Sequence, residues 1–93
     1  METTTLDAAI RQAPGLPDDQ TLFARRPWAA TSECIFIPTA GATRHSGRDR
    51  GYDYFLELSV IHELFASELV QSLSHEERVA GVIHYAEHDG WPE

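Results

Sequence analysis

The chain has 93 residues and a mass of 10.4 kDa, for which surface scaling gives roughly 5,400 Å² of folded surface and about 64% burial, one modest core with no room for a doubly wound nucleotide-binding fold or a barrel enzyme. Residues 1–93 are therefore read as a single domain. Hydrophobic residues at 42% and charged residues at 24% exclude a wholly disordered chain, and a formal charge of −8 argues against nucleic acid or anionic lipid as the natural partner.

In chain order, Thr3, Thr4 and Thr5 offer N-caps to a helix whose apolar positions Leu6, Ala9, Ile10 and Ala13 recur at helical spacing before Pro14-Gly15. Residues 14–20 read as a connection, Thr21 to Ala24 as a brief strand, and Cys34 to Ile37 as a firmer strand closed by Pro38. Thr39 to Gly51 has glycines and arginines with almost nothing to bury, so it reads as an exposed loop. Tyr52 to Leu58 reads as a strand with Tyr54, Leu56 and Leu58 on one face and Asp53, Phe55 and Glu57 on the other. Ser59 is then expected to cap one helix with a stripe of Val60, Ile61, Leu64, Phe65, Leu69, Val70 and Leu73. Ser74 and Glu77 have capping-box spacing, starting a last helix that buries Val79, Val82, Ile83 and Ala86 and stops near Gly90. The expected fold is α+β: a small, mostly antiparallel three-stranded sheet with an N-terminal helix and two C-terminal helices.

Charge is divided unevenly. Residues 1–51 hold six acids and six bases, whereas residues 52–93 hold nine acids and Arg78 as the only base. A field of that sign steers a basic partner during encounter. All seven basic residues are Arg. The single cysteine, Cys34, cannot form an internal disulfide and reads as a small buried hydrophobe. No basic n-region precedes an apolar run near the N-terminus, and no apolar run approaches the roughly 20 residues that span a bilayer, so a cytoplasmic setting without membrane contact is expected.

His84-Tyr85-Ala86-Glu87-His88 has the His-x-x-Glu-His spacing of an inverted zinc peptidase motif. A catalytic zinc needs a third protein ligand, and here only five residues follow His88. The two imidazoles also fall about 140° and 180° from Val79 on the helical wheel, opposite the apolar stripe. Solvated side chains are the plainer reading, and a metal-dependent hydrolase through His84 and His88 is the third-ranked alternative. Arg44, His45, Arg48 and Arg50 form the one basic cluster but lack the Gly-Lys-Ser/Thr ending of a phosphate-binding loop. No serine lies in a Gly-x-Ser-x-Gly elbow. No cofactor, metal or catalytic set is therefore assigned. Trp28 is expected to close the core edge, and Trp91, beside His88, Asp89 and Glu93, to fold back or meet a partner.

Pro27-Trp28, the apolar strand containing Cys34, Gly51-Tyr52-x-Tyr54-Phe55-Leu56, and a terminal helix with Tyr85-Ala86 and Asp89 together resemble a family of small uncharacterised bacterial domains on the immunity side of polymorphic toxin systems. The resemblance spans roughly residues 22–91. It implies a non-enzymatic protein that neutralises a cognate, basic toxin by occlusion. The residues expected to meet that toxin are Glu63, Glu68, Glu76, Glu77, Glu87 and Asp89, with Tyr85 or Trp91 as aromatic anchor. The alternative is a small interaction or regulatory domain acting as a homodimer or larger homo-oligomer.

Overall fold

In the computed structural model, which describes residues 3–43 and 45–91, the chain begins with a threonine pair serving two elements. Thr4–Thr5 (β1) pairs antiparallel with Cys34 and Glu33. Thr5 is also the N-cap of α1 (Leu6–Gln12), its Oγ1 accepting from the Ala8 N–H at 3.2 Å. Two further helix-start donors, Leu6 and Asp7 N–H, reach the Ser32 and Ala30 carbonyls, both at 2.9 Å. The orphan donors of the first turn thus dock α1 onto the connection following β2. Leu6, Ala9, Ile10 and Ala13 are all buried, as their spacing demands.

The sheet continues with β2 (Gln20–Ala24), β3 (Glu33–Pro38) and β4 (Asp53–Glu57), and its spatial order is β1-β3-β2-β4, antiparallel throughout. The α+β class holds, but the sheet has four strands where three are expected. The added strand is two residues long, too short to leave a period-2 signal, and it exists through pairing with a strand nearly thirty residues on.

The register of β4 also differs from simple alternation. Leu22 faces Leu56 while Phe23 faces Tyr54, so Phe55 is the extra residue of a β-bulge. Phe55 and Leu56 consequently both join the core beneath the helices, with Leu22, Ala24 and Cys34, while Tyr54 turns to the other face. There Tyr54 meets Phe23 edge-on, ring centroids 5.8 Å apart, beside Ile35 and Tyr52.

That second face explains the 39–51 loop. It does bury something: Gly47 is packed so closely that a Cβ there would lie 3.0 Å from Tyr52 Cβ and 3.1 Å from Phe23 Cδ2. Thr39 anchors the start of the loop, its hydroxyl 2.9 Å from that of the buried Thr21. Arg44, on this loop, lies outside the described residues.

Past β4 the single long helix expected is two. Helix α2 spans Leu58–Phe65 with Glu57, not Ser59, at its N-cap, and α3 spans Glu68–Gln71 with Ser67 at its N-cap. Helix α4 (His75–His88) opens with the full capping box, Ser74 Oγ accepting from Glu77 N–H at 3.2 Å and Glu77 Oε1 accepting from Ser74 N–H at 3.0 Å. It ends at Asp89, the residue in the left-handed conformation (φ 57°), one position before the glycine expected to stop it. The principal core lies between the sheet and these helices, with Leu58, Ile61, Val79 and Val82 meeting Leu6, Ile10 and Phe55. Each such aliphatic side chain contributes about 1.5–3 kcal/mol by leaving water. Trp28 closes this core at one side, edge-on to Phe55 at 4.9 Å, its Nε1–H donating to the Ala24 carbonyl at 3.2 Å.

Candidate protein-binding surface

The carboxylates inside and outside the helical layer differ in how they are used. Outside it four are held in pairs, while Asp19, Asp49 and Glu57 are in no ion pair among the described residues. Glu33 accepts from Arg25 Nε at 2.7 Å, Asp53 lies 3.5 Å from Arg26 Nε, Asp7 lies 2.7 Å from His75 Nε2, and Asp18 contacts His62 Nδ1. The Arg25 hydrogen bond holds the Glu33 carboxyl below the usual carboxylate range and raises the guanidinium in turn. Those of the helical layer are different: Glu63, Glu68, Glu76, Glu77, Glu87 and Asp89 are all exposed. Among the described residues none of the six forms an ion pair.

Arg78, the sole base after residue 51, does not neutralise them. Its Nε donates to the Val70 carbonyl at 3.1 Å and its Nη2 to the Gln71 carbonyl at 2.8 Å, so the guanidinium finishes α3 by satisfying its last carbonyls. Glu77 is partly committed as well. Its bonds from the Ser74 backbone, then from the Ser74 hydroxyl, hold its carboxyl below the ordinary range, which keeps it ionised.

The eight residues expected to meet a partner do not converge on one patch. Glu77 and Trp91 border a trough between α3 and α4 of about 700 Å³, with Leu69, Leu73, Ala80, Gly81 and His84. Glu76 borders a separate depression of about 330 Å³ beside Asp7 and Ala30. Tyr85 and Asp89 border a third, of about 250 Å³, on the side of Arg26 and Trp28. Glu63, Glu68 and Glu87 line none of these. Glu93, named beside Trp91, lies outside the described residues.

Leu69 is the residue that periodicity misplaces. A continuous helix would bury it with Val70, yet it is 63% exposed, the one large hydrophobic so exposed among the described residues. The break at Ala66–Ser67 resets the helical phase. Ser67-Glu68, a cap residue followed by an acid, is the signal that marks a new start.

Trp91 folds back. Its indole lies over Gly81, where a Cβ would fall 2.3 Å from Cζ2, and His84 Nδ1–H donates to the Gly90 carbonyl at 2.8 Å, tying the turn to α4. The second imidazole of the candidate zinc motif, His88, stacks on His84 with centroids 4.6 Å apart and planes tilted by 47°. No group of three or more His, Cys, Asp or Glu side chains is placed to hold a metal ion among the described residues. Cys34 is buried in β3, and burial pushes its thiol up to about 12, the reverse of an activated nucleophile. No helix among the described residues is long and apolar enough to cross a membrane.

Comparison of the chain with protein families, with curated proteins and with solved structures found no match.

Proposed function

We propose that this is a non-enzymatic binding protein whose acidic helical layer attracts a basic partner protein, in the manner of an immunity protein occluding its toxin. The observation that carries the reading is a contrast in pairing: four acids outside the helical layer are held by internal partners, whereas all six acids of α2–α4 and the following turn stay exposed without an ion-pair partner among the described residues. The only arginine on those helices is spent on α3. Because the six are spread over the layer rather than gathered at one point, their common effect is long-range attraction, with close docking confined to part of the layer.

The test uses the product of the neighbouring reading frame as partner. Association measured by stopped flow is expected to slow steeply as salt shortens the Debye length from about 30 Å at 0.01 M to about 3 Å at 1 M. A salt-independent on-rate, or no complex with that product, overturns the reading.

A further inference from the structure

We infer that the trough between α3 and α4 is the seat of an amphipathic, cationic helix of the partner, an inference that rests on the partner being basic as proposed above. Along α4 the trough runs from Glu77 past Gly81 to His84, steps of four and three residues. At 1.5 Å per residue that run is about 11 Å, two turns of a docked helix. Its wall is apolar where contact is closest, with Leu69 and Leu73 on the α3 side and Ala80 small enough to let another helix approach. Trp91 closes the far end, held there by its seat on Gly81.

The occupant follows from chemistry. The trough is built from side chains of two helices whose backbone groups are used internally, so it offers no open strand edge. An extended peptide would leave its own N–H and C=O groups unmet, whereas a helix arrives with them satisfied. Glu77 borders the trough and Glu68 is exposed beside Leu69, while Arg78 is turned onto the α3 carbonyls. Lys or Arg flanking a leucine stripe matches that pattern. A second copy of this chain does not, because α2, α3 and α4 carry the same negative charge as the trough.

The probe is a labelled synthetic peptide of about 18 residues, long enough to hold a helix, with leucines at helical spacing and lysines elsewhere, read by fluorescence anisotropy. A scrambled peptide of identical composition is the control. The striped peptide is expected to bind at least about tenfold more tightly than the scrambled one, and Leu69→Asp is expected to weaken it by about tenfold, equivalent to about 1.4 kcal/mol. The added carboxylate would by charge alone strengthen binding of a lysine peptide, so a loss isolates the apolar contact. Leu69 is exposed, so the variant should fold, which circular dichroism checks. Equal binding of both peptides, or unchanged or tighter binding by Leu69→Asp, overturns the trough as the seat while a cationic partner still stands. Absence of salt-sensitive binding to either peptide overturns both.

Discussion

Trp91 lies on the bare backbone of Gly81, with no space between them for a methyl group: a Cβ at Gly81 would come within 2.3 Å of the indole Cζ2. Ala in place of a mid-helix Gly stabilises an α-helix by about 0.8–1.0 kcal/mol, so Gly81→Ala separates two effects that usually run together. Helix α4 is expected to be strengthened and the indole expelled. The measurement is tryptophan emission in a Trp28→Phe background, which is expected to shift to the red. Unchanged emission would show that the turn after α4 accommodates the methyl by sliding.

His62 has an acceptor at each ring nitrogen: Nε2 faces the Ala13 carbonyl at 2.7 Å, and Nδ1 faces the Asp18 carboxylate. A neutral imidazole has one N–H and can satisfy only one of them, so this geometry selects the doubly protonated ring. The Ala13 carbonyl bond, then the Asp18 hydrogen bond and charge, outweigh desolvation and raise the His62 pKa. A raised folded pKa means that the stabilisation is fully present below the unfolded value, about 6.5, and is lost as pH rises through the folded one. The stability difference between the native chain and His62→Ala, from urea unfolding, should therefore shrink as pH rises above about 6.5. Since the carbonyl is the larger cause, Asp18→Asn should leave the His62 pKa, followed by NMR, still above about 6.5; a fall below it would make Asp18 the dominant partner.

Cys34 gives a thiol prediction of opposite character. Burial raises it to about 12, so an aromatic disulfide reagent at pH 8 should not label the native chain, and labelling should follow the rate of global unfolding. Rapid labelling without denaturant would mean that β3 opens locally beside the two-residue β1.

What could be read from residues in order is what local chemistry decides. Ser74 and Glu77 define the α4 start because both partners of the capping box lie within one turn, and Leu6, Ala9, Ile10 and Ala13 define the buried face of α1 by spacing alone. Features decided across the fold could not be read that way. Asp7 and His75 are 68 positions apart, and nothing local marks them as a pair. The Thr4–Thr5 strand exists only because Cys34 and Glu33 are opposite it. The acidic set is legible as composition, since charge needs no geometry to be counted. Which of its members border a depression, three of the six, depends on how the helices pack, and Leu69 entered the site only through the break between α2 and α3.

Arg78 is predicted to matter for α3 more than for charge. A four-residue helix has no intrinsic persistence, and here its Val70 and Gln71 carbonyls are held by one guanidinium. Arg78→Gln should cost about 1–2 kcal/mol and raise hydrogen exchange of residues 68–73 selectively. Arg78→Lys should restore little, because one ammonium cannot reproduce the forked geometry of two parallel donors. Uniform exchange across the helical layer in Arg78→Gln would place the loss in the core instead.

The bulge in β4 makes the sharpest stability prediction. In a regular strand Phe55 would share a face with Asp53 and Glu57 and point away from Leu56. With Phe55 as the inserted residue, both Phe55 and Leu56 are buried beneath the helices, and Trp28 packs edge-on against the Phe55 ring. Phe55→Ala should therefore cost about 3–5 kcal/mol, the usual range for emptying an aromatic core site. Tyr54→Ala, on the opposite and thinner layer, should cost less, because its ring is only half-buried against Phe23. Urea unfolding of the two variants distinguishes the registers. If Tyr54→Ala proves the more damaging substitution, the strand alternates regularly and the bulge is absent in solution. If Phe55→Ala is the costlier, deleting position 55 should cost about as much as truncating it and no more, since Tyr54 then stays opposite Phe23 and Leu56 opposite Leu22 in regular alternation, with the Phe55 ring as the loss.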